Sequence, residues 1–298
     1  PRERLWRIRA AKVVLATGAM ERPLVFADND RPGVMLASAV QTYVNRYGVS
    51  PGNKFVFVTN NDSAYRAALS VHQAGLDVVA VVDMRPRVSS ELEARLQQAG
   101  IEVISGYGIA SVIGRRGVKG VKLAPHQGDG VLGKIDRQIN CDVVGMSGGW
   151  TPTIHLYSQA GGKLSYREDV AALVPAGCAQ SVEVVGAADG VLEDQVTPAW
   201  YTKSARTDKQ WVDFQYDVKV SDLEIATREN FTSVEHVKRY TTNGMSIDQG
   251  KTSNVNALAV MAELTGRKIA EVGTTKFRPP YHPATIGSFA GRQIDDRY

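Results

Sequence analysis

The stretch from Lys54 to Asp83 constrains the fold of this chain more than any other. Phe55–Val58 is a short apolar run, long enough for a strand buried on both faces and too short for a helix. Asp62 or Ser63 can accept from the free amides of a helix start, and Ala64, Ala67, Ala68 and Val71 then share one helical face. Gly75 stands where that helix stops, because glycine takes the left-handed cap without a Cβ penalty. Val78–Val82 is a second buried strand with Asp83 at its carboxyl end. Strand, helix and strand make one βαβ unit of a dinucleotide-binding domain, and the fold class is α/β.

The turn after the first strand should carry G-x-G-x-x-G, so that bare backbone can approach a pyrophosphate at the helix N-terminus. Those positions hold Thr59, Asn61 and Ala64. Alanine is tolerated third, but the Asn61 side chain fills phosphate space and Asp62 adds a repelling charge. Asp83 can hold a ribose hydroxyl, yet one acid at a strand end is a weak signal. The expectation is a nucleotide fold whose own pocket is closed.

A chain of 298 residues has room for two or three domains. Its net charge of +4 is small and its basic residues are scattered, which gives nucleic-acid binding no support. No apolar run approaches the roughly 20 residues of a membrane span, and no signal peptide is expected. Cys141 and Cys178 form no C-x-x-C, so buried reduced thiols in a cytoplasmic protein are expected, with no metal site.

The rest of the chain falls into place around this unit. Arg2–Arg9 suits an edge strand, and Lys12–Met20 is a buried strand running into Ala16-Thr17-Gly18. Ser90-x-x-Glu93 is a capping box, Leu92, Leu96 and Ala99 stripe the following helix, and Gly100 closes it. Ile101–Ile104 is a strand. Ile109–Ile113, Val118–Leu123 and Lys134–Ile139 read as an antiparallel meander, Cys141–Ser147 as a buried strand, and Val182–Val185 as a strand ending at Gly186. Gly149-Trp150-Thr151-Pro152 lies between the last two. An A-T-G strand, an inserted nucleotide domain, a G-x-x-P return and a terminal strand with glycine, in that order, resemble the two-dinucleotide flavoprotein reductases of glutathione-reductase-like fold. Flavin-binding members place Gly-Asp after the terminal strand, whereas here Gly186-Ala187 stands there with Asp189 displaced. That argues against their flavin site and leaves room for NAD. The family's first βαβ unit is missing, and a sheet without its first strands exposes apolar edges. A longer polypeptide is therefore expected. Val191–Gln210 replaces an expected small-residue helix with a charged, proline-containing linker; either the helix is lost or residues are missing after Gly190.

Val212–Gly266 reads as a small helical module. Ser221-x-x-Glu224, Ser233 and Ser253 begin three helices, and Val255, Leu258, Ala259 and Ala262 face the core of the third. Between the second and third lies V-K-R-Y-T-T-N-G-M-S-I-D-Q-G-K-T, from Val237 to Thr252, and further on comes Phe277-Arg-Pro-Pro-Tyr281. On these segments, with Ser147–Leu156, the chain resembles the α subunit of heterotetrameric sarcosine oxidase. Related amine and opine oxidoreductase subunits carry four cysteines for a [2Fe–2S] cluster in a bacterioferritin-associated-ferredoxin type module. The matching positions are Asp213, Gln215, Asn243 and Asp248, none of them a thiolate.

The resemblance implies an oxidoreductase subunit in a complex that converts sarcosine to glycine, hydrogen peroxide and a one-carbon unit for tetrahydrofolate. It implies β, γ and δ partner subunits, FAD on a partner, FMN shared with the β subunit, and NAD on this chain beside Thr17, Gly18 and Gly186. Lys238, Arg239, Thr241, Thr242, Gly244, Gln249, Gly250 and Lys251 are expected to cradle the FMN phosphate from the α side. The implied organisation is a first nucleotide domain over 1–47 and 139–190, an inserted one over 48–138, a linker over 191–210, the FMN-contacting module over 211–272, and the start of an absent folate-binding domain over 273–298. His72, His155 and His236 receive no role, and no catalytic set is found. Two other readings stay open: a subunit of another amine, opine or amino-acid dehydrogenase, or a pyridine-nucleotide-dependent FAD reductase; an empty structural platform is a third.

Overall fold

A computed structural model describes residues 5–87, 90–192, 196–203 and 206–289. The expected βαβ unit is present: Lys54–Thr59 and Asp77–Asp83 pair in parallel, joined by the helix Ser63–Gln73. Side chains on a strand alternate between faces. Phe55 and Phe57 accordingly pack with Ala64, Tyr65, Ala68 and Val71 of the helix, while Val56 and Val58 enter a second core. The register shifts at Val79, one extra residue that puts Val78 and Val81 on the same side.

Five parallel strands form this sheet, in the order Val34–Leu36, Val143–Ser147, Lys54–Thr59, Asp77–Asp83, Glu102–Ser105. Helices Ala37–Tyr47, Ser63–Gln73 and Ser90–Gln98 cover one face. On the other lies the expected meander, Tyr107–Ile113, Gly120–Pro125 and Arg137–Ile139, contributing Ile109, Val112, Val121, Leu123 and Ile139. Gly145 is opposite Phe57, and a Cβ there would stand 2.6 Å from the phenyl ring, so the seat of this ring against the neighbouring strand depends on glycine. The pairing corrects one boundary. Val34–Leu36 and Val143–Ser147 belong to the inserted sheet, which therefore starts before residue 48 and continues past 138.

The first unit is thinner. Its expected single strand is interrupted at Ala16-Thr17-Gly18: Val13–Leu15 runs parallel to Val182–Val184, and Ala19–Glu21 pairs antiparallel with Trp150–Pro152. A hairpin of Lys163–Arg167 and Ala172–Gly177, not among the expected elements, packs nearby. The expected edge strand near the start does not form over residues 5–9, where Leu5, Trp6 and Ile8 are exposed; residues 2–4 lie outside the described ones.

Three main helices, Val220–Arg228, Val234–Thr241 and Asn254–Leu264, build the C-terminal module around Leu223, Val237, Leu258 and Met261. The first begins one residue before the expected capping box. Asp222 reaches back to the Lys219 N–H at 2.8 Å, and Glu224 instead accepts from the Thr207 hydroxyl at 3.0 Å. The supposed linker is also built in. Ala199, Tyr201, Thr202 and Gln210 are buried, Tyr201 bridges Val25, and Lys203 bridges Val131. Residues 21–29 form the buried hub between units: Asn256 donates to the Pro23 carbonyl at 2.9 Å, and Asn29 exchanges two 2.8 Å hydrogen bonds with the Trp211 backbone. Among the described residues no helix is long and apolar enough to cross a membrane.

Candidate functional site

Two turns inherit the positions where nucleotide folds hold phosphates, and they differ sharply. At the first, the strands Val13–Leu15 and Val182–Val184 end side by side and deliver Thr17, Gly18 and Gly186 to one edge. Carboxyl ends of parallel strands are where α/β sheets bind ligands. Gly18 and Gly186 adopt φ of +71° and +66°, a left-handed conformation that glycine takes without strain. A Cβ at either would meet nothing within 4 Å, so the backbone faces open space. The Thr17 hydroxyl donates to the Thr153 carbonyl at 2.8 Å and the Thr153 N–H returns to Gly18 at 2.9 Å. The A-T-G turn and the G-x-x-P return thus brace each other.

At the second, the side chain of Asn61 occupies the turn. Its amide donates to the Ser147 carbonyl and hydroxyl at 3.1 Å each, and its oxygen accepts from the Ser63 N–H at 3.0 Å. Asn61, rather than Asp62 or Ser63, therefore satisfies the helix start. Asp83 is fully buried, accepting from Tyr65 at 2.8 Å and from Arg85 at 2.7 Å, and Arg85 also pairs with Asp62 at 2.7 Å. Burial pushes the Asp83 carboxyl up and the Arg85 guanidinium pulls it back, while burial and Asp83 both push the Tyr65 phenol up. The carboxylate that a ribose would need is taken.

Around the basic turn the expected residues sit together, but their polar groups face one another. Arg239 pairs with Glu235 at 3.0 Å, the Thr241 hydroxyl returns to the Val237 carbonyl, and Thr242 caps the helix with φ of +64°. A Cβ on Gly244 or Gly250 would lie 2.3 or 2.2 Å from Asn254 Oδ1, so these glycines make room for an asparagine. Gln249 donates to the Arg278 carbonyl at 2.8 Å and accepts from the Arg278 N–H at 2.8 Å. Lys251 donates to the Tyr281 carbonyl at 2.9 Å and lies 4.5 Å from that ring's centroid. The segment Phe277–Tyr281 is therefore strapped across the turn. Burial lowers the Lys238 ammonium, with Arg278 and Arg239 pushing the same way and Glu235 opposing; burial also lowers Lys251.

Of the four positions matched to cluster cysteines, Asp213 and Gln215 share a hydrogen bond, while Asp248 and Asn243 bond to other neighbours. Asp213 accepts from the Gln215 and Gly244 N–H groups at 2.9 and 2.7 Å and from the Ser253 hydroxyl at 3.2 Å. Gln215 accepts from Ser246, and Asp248 from the Gly250 N–H at 3.1 Å. Among the described residues no group of three His, Cys, Asp or Glu could hold a metal.

Sequence reasoning passed over two residues that tie these places together. His155, two residues after the Thr153 brace, is buried with both ring nitrogens unpartnered, and its ring centroid lies 3.9 Å from Phe277 and 5.4 Å from Tyr281. Burial and the Lys251 charge bring its pKa down to about 4. Arg22 is buried beside Trp200 and donates to the Gly148 and Ala171 carbonyls, with burial lowering it to about 10. A Glu-Arg pair inside the apolar run from Ala19 to Ala27 was the available signal.

With this geometry in view, comparison with known proteins is informative. Residues 3–185 match the family described as pyridine nucleotide-disulphide oxidoreductase, and residues 207–292 match the sarcosine oxidase A3 domain. The chain is 39% identical to the sarcosine oxidase alpha subunit of Rhizobium meliloti (strain 1021) across 98% of its own length and 32% of the relative. It is 38% identical to that of Corynebacterium sp. (strain P-1), across 98% of its length and 34% of the relative. The chain thus spans about a third of the length of these sarcosine oxidase relatives. One opine oxidase subunit of Rhizobium meliloti (strain 1021) is 22% identical, with 95% of this chain and 77% of the relative covered. Among solved structures, L-proline dehydrogenase from P. horikoshii superposes with a TM-score of 0.68 at 21% identity, covering 94% of this chain and 58% of that one, which is a likeness of fold.

Proposed function

This chain belongs to the pyridine nucleotide-disulphide oxidoreductase family, and from that premise we propose that it is the nucleotide-holding part of the α subunit of a sarcosine oxidase complex. In this reading the complex oxidises sarcosine to glycine, hydrogen peroxide and a one-carbon unit, with the amine-oxidising flavin chemistry on partner subunits. Identity of 36–39% to three sarcosine oxidase α subunits along nearly the whole chain supports it. The observation that carries the role of this chain is the open edge: NAD lies along Thr17, Gly18 and Gly186, where bare backbone meets free space. The closed second turn leaves the nucleotide one place to go.

FMN meets this chain at the junction with the β subunit, with Lys238, Arg239 and Lys251 facing its phosphate. The glycines and hydroxyls of the same turn shape the loop. The helical module is a cluster-type module without its cluster, held instead by Asp213 and its three donors. Cys141 and Cys178 are free thiols, as suits a cytoplasmic setting. The γ and δ subunits and the folate-binding domain complete the proposed assembly.

The test is extraction. Protein purified with its partners is denatured, and released nucleotides and non-covalent flavin are quantified beside iron. One NAD for each chain and no iron is the expected result; an empty chain, or stoichiometric iron and sulfide, would sink the proposal. Arg239→Ala with Lys251→Ala should reduce the FMN absorbance retained by the complex, and unchanged absorbance removes the phosphate contact.

A further inference from the structure

The short helix His155–Gln159 follows the strand Trp150–Pro152 and sets the His155 ring into the core at 3% exposure. Its seat is braced on both sides: the Thr153 N–H donates to the Gly18 carbonyl at 2.9 Å, and the Gly177 N–H donates to the Tyr157 hydroxyl at 2.8 Å. The outer wall is the segment Phe277–Tyr281, whose two end rings lie against the imidazole. Between these anchors Arg278, Pro279 and Pro280 are exposed. Two side chains of the basic turn tie the segment down. Gln249 donates to the Arg278 and Pro280 carbonyls and accepts from the Arg278 N–H, and Lys251 donates to the Tyr281 carbonyl.

A neutral imidazole suits this seat and a charged one does not. An imidazolium carries two N–H donors, and each needs an acceptor. Neither His155 nitrogen has a hydrogen-bond partner or reaches solvent, and the charge that acts on the ring is the Lys251 ammonium. The other titratable groups around it offer no relief. Tyr157 of the same helix already accepts from Gly177, Arg278 is a second cation, Tyr281 and His282 meet edge to face, and Asp248 acts on Lys251. A proton on His155 therefore destabilises the closed arrangement. An exposed segment held by side chains of one turn yields before a seat braced by backbone hydrogen bonds.

We propose that Phe277–Tyr281 is a proton-operated latch: it closes over Gln249 and Lys251 while His155 is neutral, and it swings away when His155 takes a proton. Opening lifts Phe277 and Tyr281 off the imidazole and lets water reach both ring nitrogens. It also releases the Gln249 amide and the Lys251 ammonium, which bond the strap in the closed form. Linkage is reciprocal, so anything that loosens the strap raises the affinity of His155 for a proton. The latch shares Lys251 with the flavin reading, but it is a property of this chain alone and stands or fails without FMN.

Two measurements on the natively purified protein test the latch. The first follows the His155 imidazole by NMR through an acid titration, its signal identified by its loss in His155→Phe. Gln249→Ala removes the three strap hydrogen bonds of that side chain and should raise the pH at which His155 titrates. An unchanged titration means that the proton arrives without moving the strap, and overturns the latch. The second is hydrogen exchange at the Arg278 amide, which bonds Gln249 in the closed form. From pH 7 to pH 4.5, corrected for the chemical rate, this exchange should speed about fiftyfold, the ratio set by an imidazole at about 4 when closed and about 6.5 when open. His155→Phe should abolish the rise. Level exchange in the parent, or an equal rise in His155→Phe, sinks the idea. So does a rise that shares the urea dependence of amides in the helix Asn254–Leu264, because the proton then unfolds the whole module rather than moving the strap.

Discussion

The two nucleotide-type turns of this chain share a strand-end setting and diverge in a few side chains. At the inserted turn, Asn61 sits where a glycine would be and spends its amide on Ser147, Ser63 and Asn60, while Asp83, Arg85, Asp62 and Tyr65 close the far end. At the first edge, Gly18 and Gly186 project nothing into the space beyond them. A fold supplies the place for a phosphate, and one β-carbon with an amide on it is enough to withdraw the place.

The largest effect that would test this contrast is loss of the Arg85 guanidinium. Arg85→Ala leaves the Asp83 carboxylate buried without its ion-pair partner and should cost about 3–5 kcal/mol in urea unfolding. A cost below about 1 kcal/mol would mean that the lock is decorative. At the open edge, Gly186→Val should lower the NAD retained through purification by tenfold or more, because a β-branched side chain enters the ligand's space and strains a φ of +66°. Retention equal to the parent would place the nucleotide elsewhere.

His155 predicts a pH dependence that should be confined to the junction between the first edge and the strap. Its folded pKa, about 4, lies below the unfolded value near 6.5, so folding is penalised whenever the imidazole takes a proton in the unfolded chain. That contribution is absent above pH 6.5 and grows as pH falls toward 4, where it amounts to about 2–3 kcal/mol. Chemical denaturation between pH 7 and pH 4.5 should show a slope that His155→Phe removes, while a slope that survives the substitution assigns the loss to other groups. The smallest expected effect concerns the plug. Asn61→Gly should cost about 1–2 kcal/mol in stability and gain no second NAD, since Asp62, Asp83 and Arg85 still close the turn. A second bound nucleotide in that variant would show that Asn61 alone keeps the turn shut.

Much of the inserted unit was legible because its signals are local. Four residues of Phe-Val-Phe-Val, alanines at helical spacing and Gly75 at φ +85° report neighbours within one or two turns of chain. The meander and the A-T-G and G-x-x-P turns were legible for the same reason. The errors fell where pairing is distant. Val34–Leu36 joins the inserted sheet only because Val143–Ser147 runs beside it, more than a hundred residues on. The stretch 191–210 looks like a linker by composition, yet Trp200 stacks on Arg22 and Tyr201 meets Val25. In the basic turn, residue types did not announce that Asn254 comes to fill the space beside Gly244 and Gly250.

From its own order of residues the chain settled that it folds as α/β nucleotide units followed by a helical module, because period, caps and turn glycines act over a few residues. Which turn is open, which carboxylate is spent, and which carbonyl the Lys251 ammonium reaches were decided only on folding. Those outcomes depend on which side chain arrives from a distant segment to take a hydrogen bond, and no local pattern encodes that arrival.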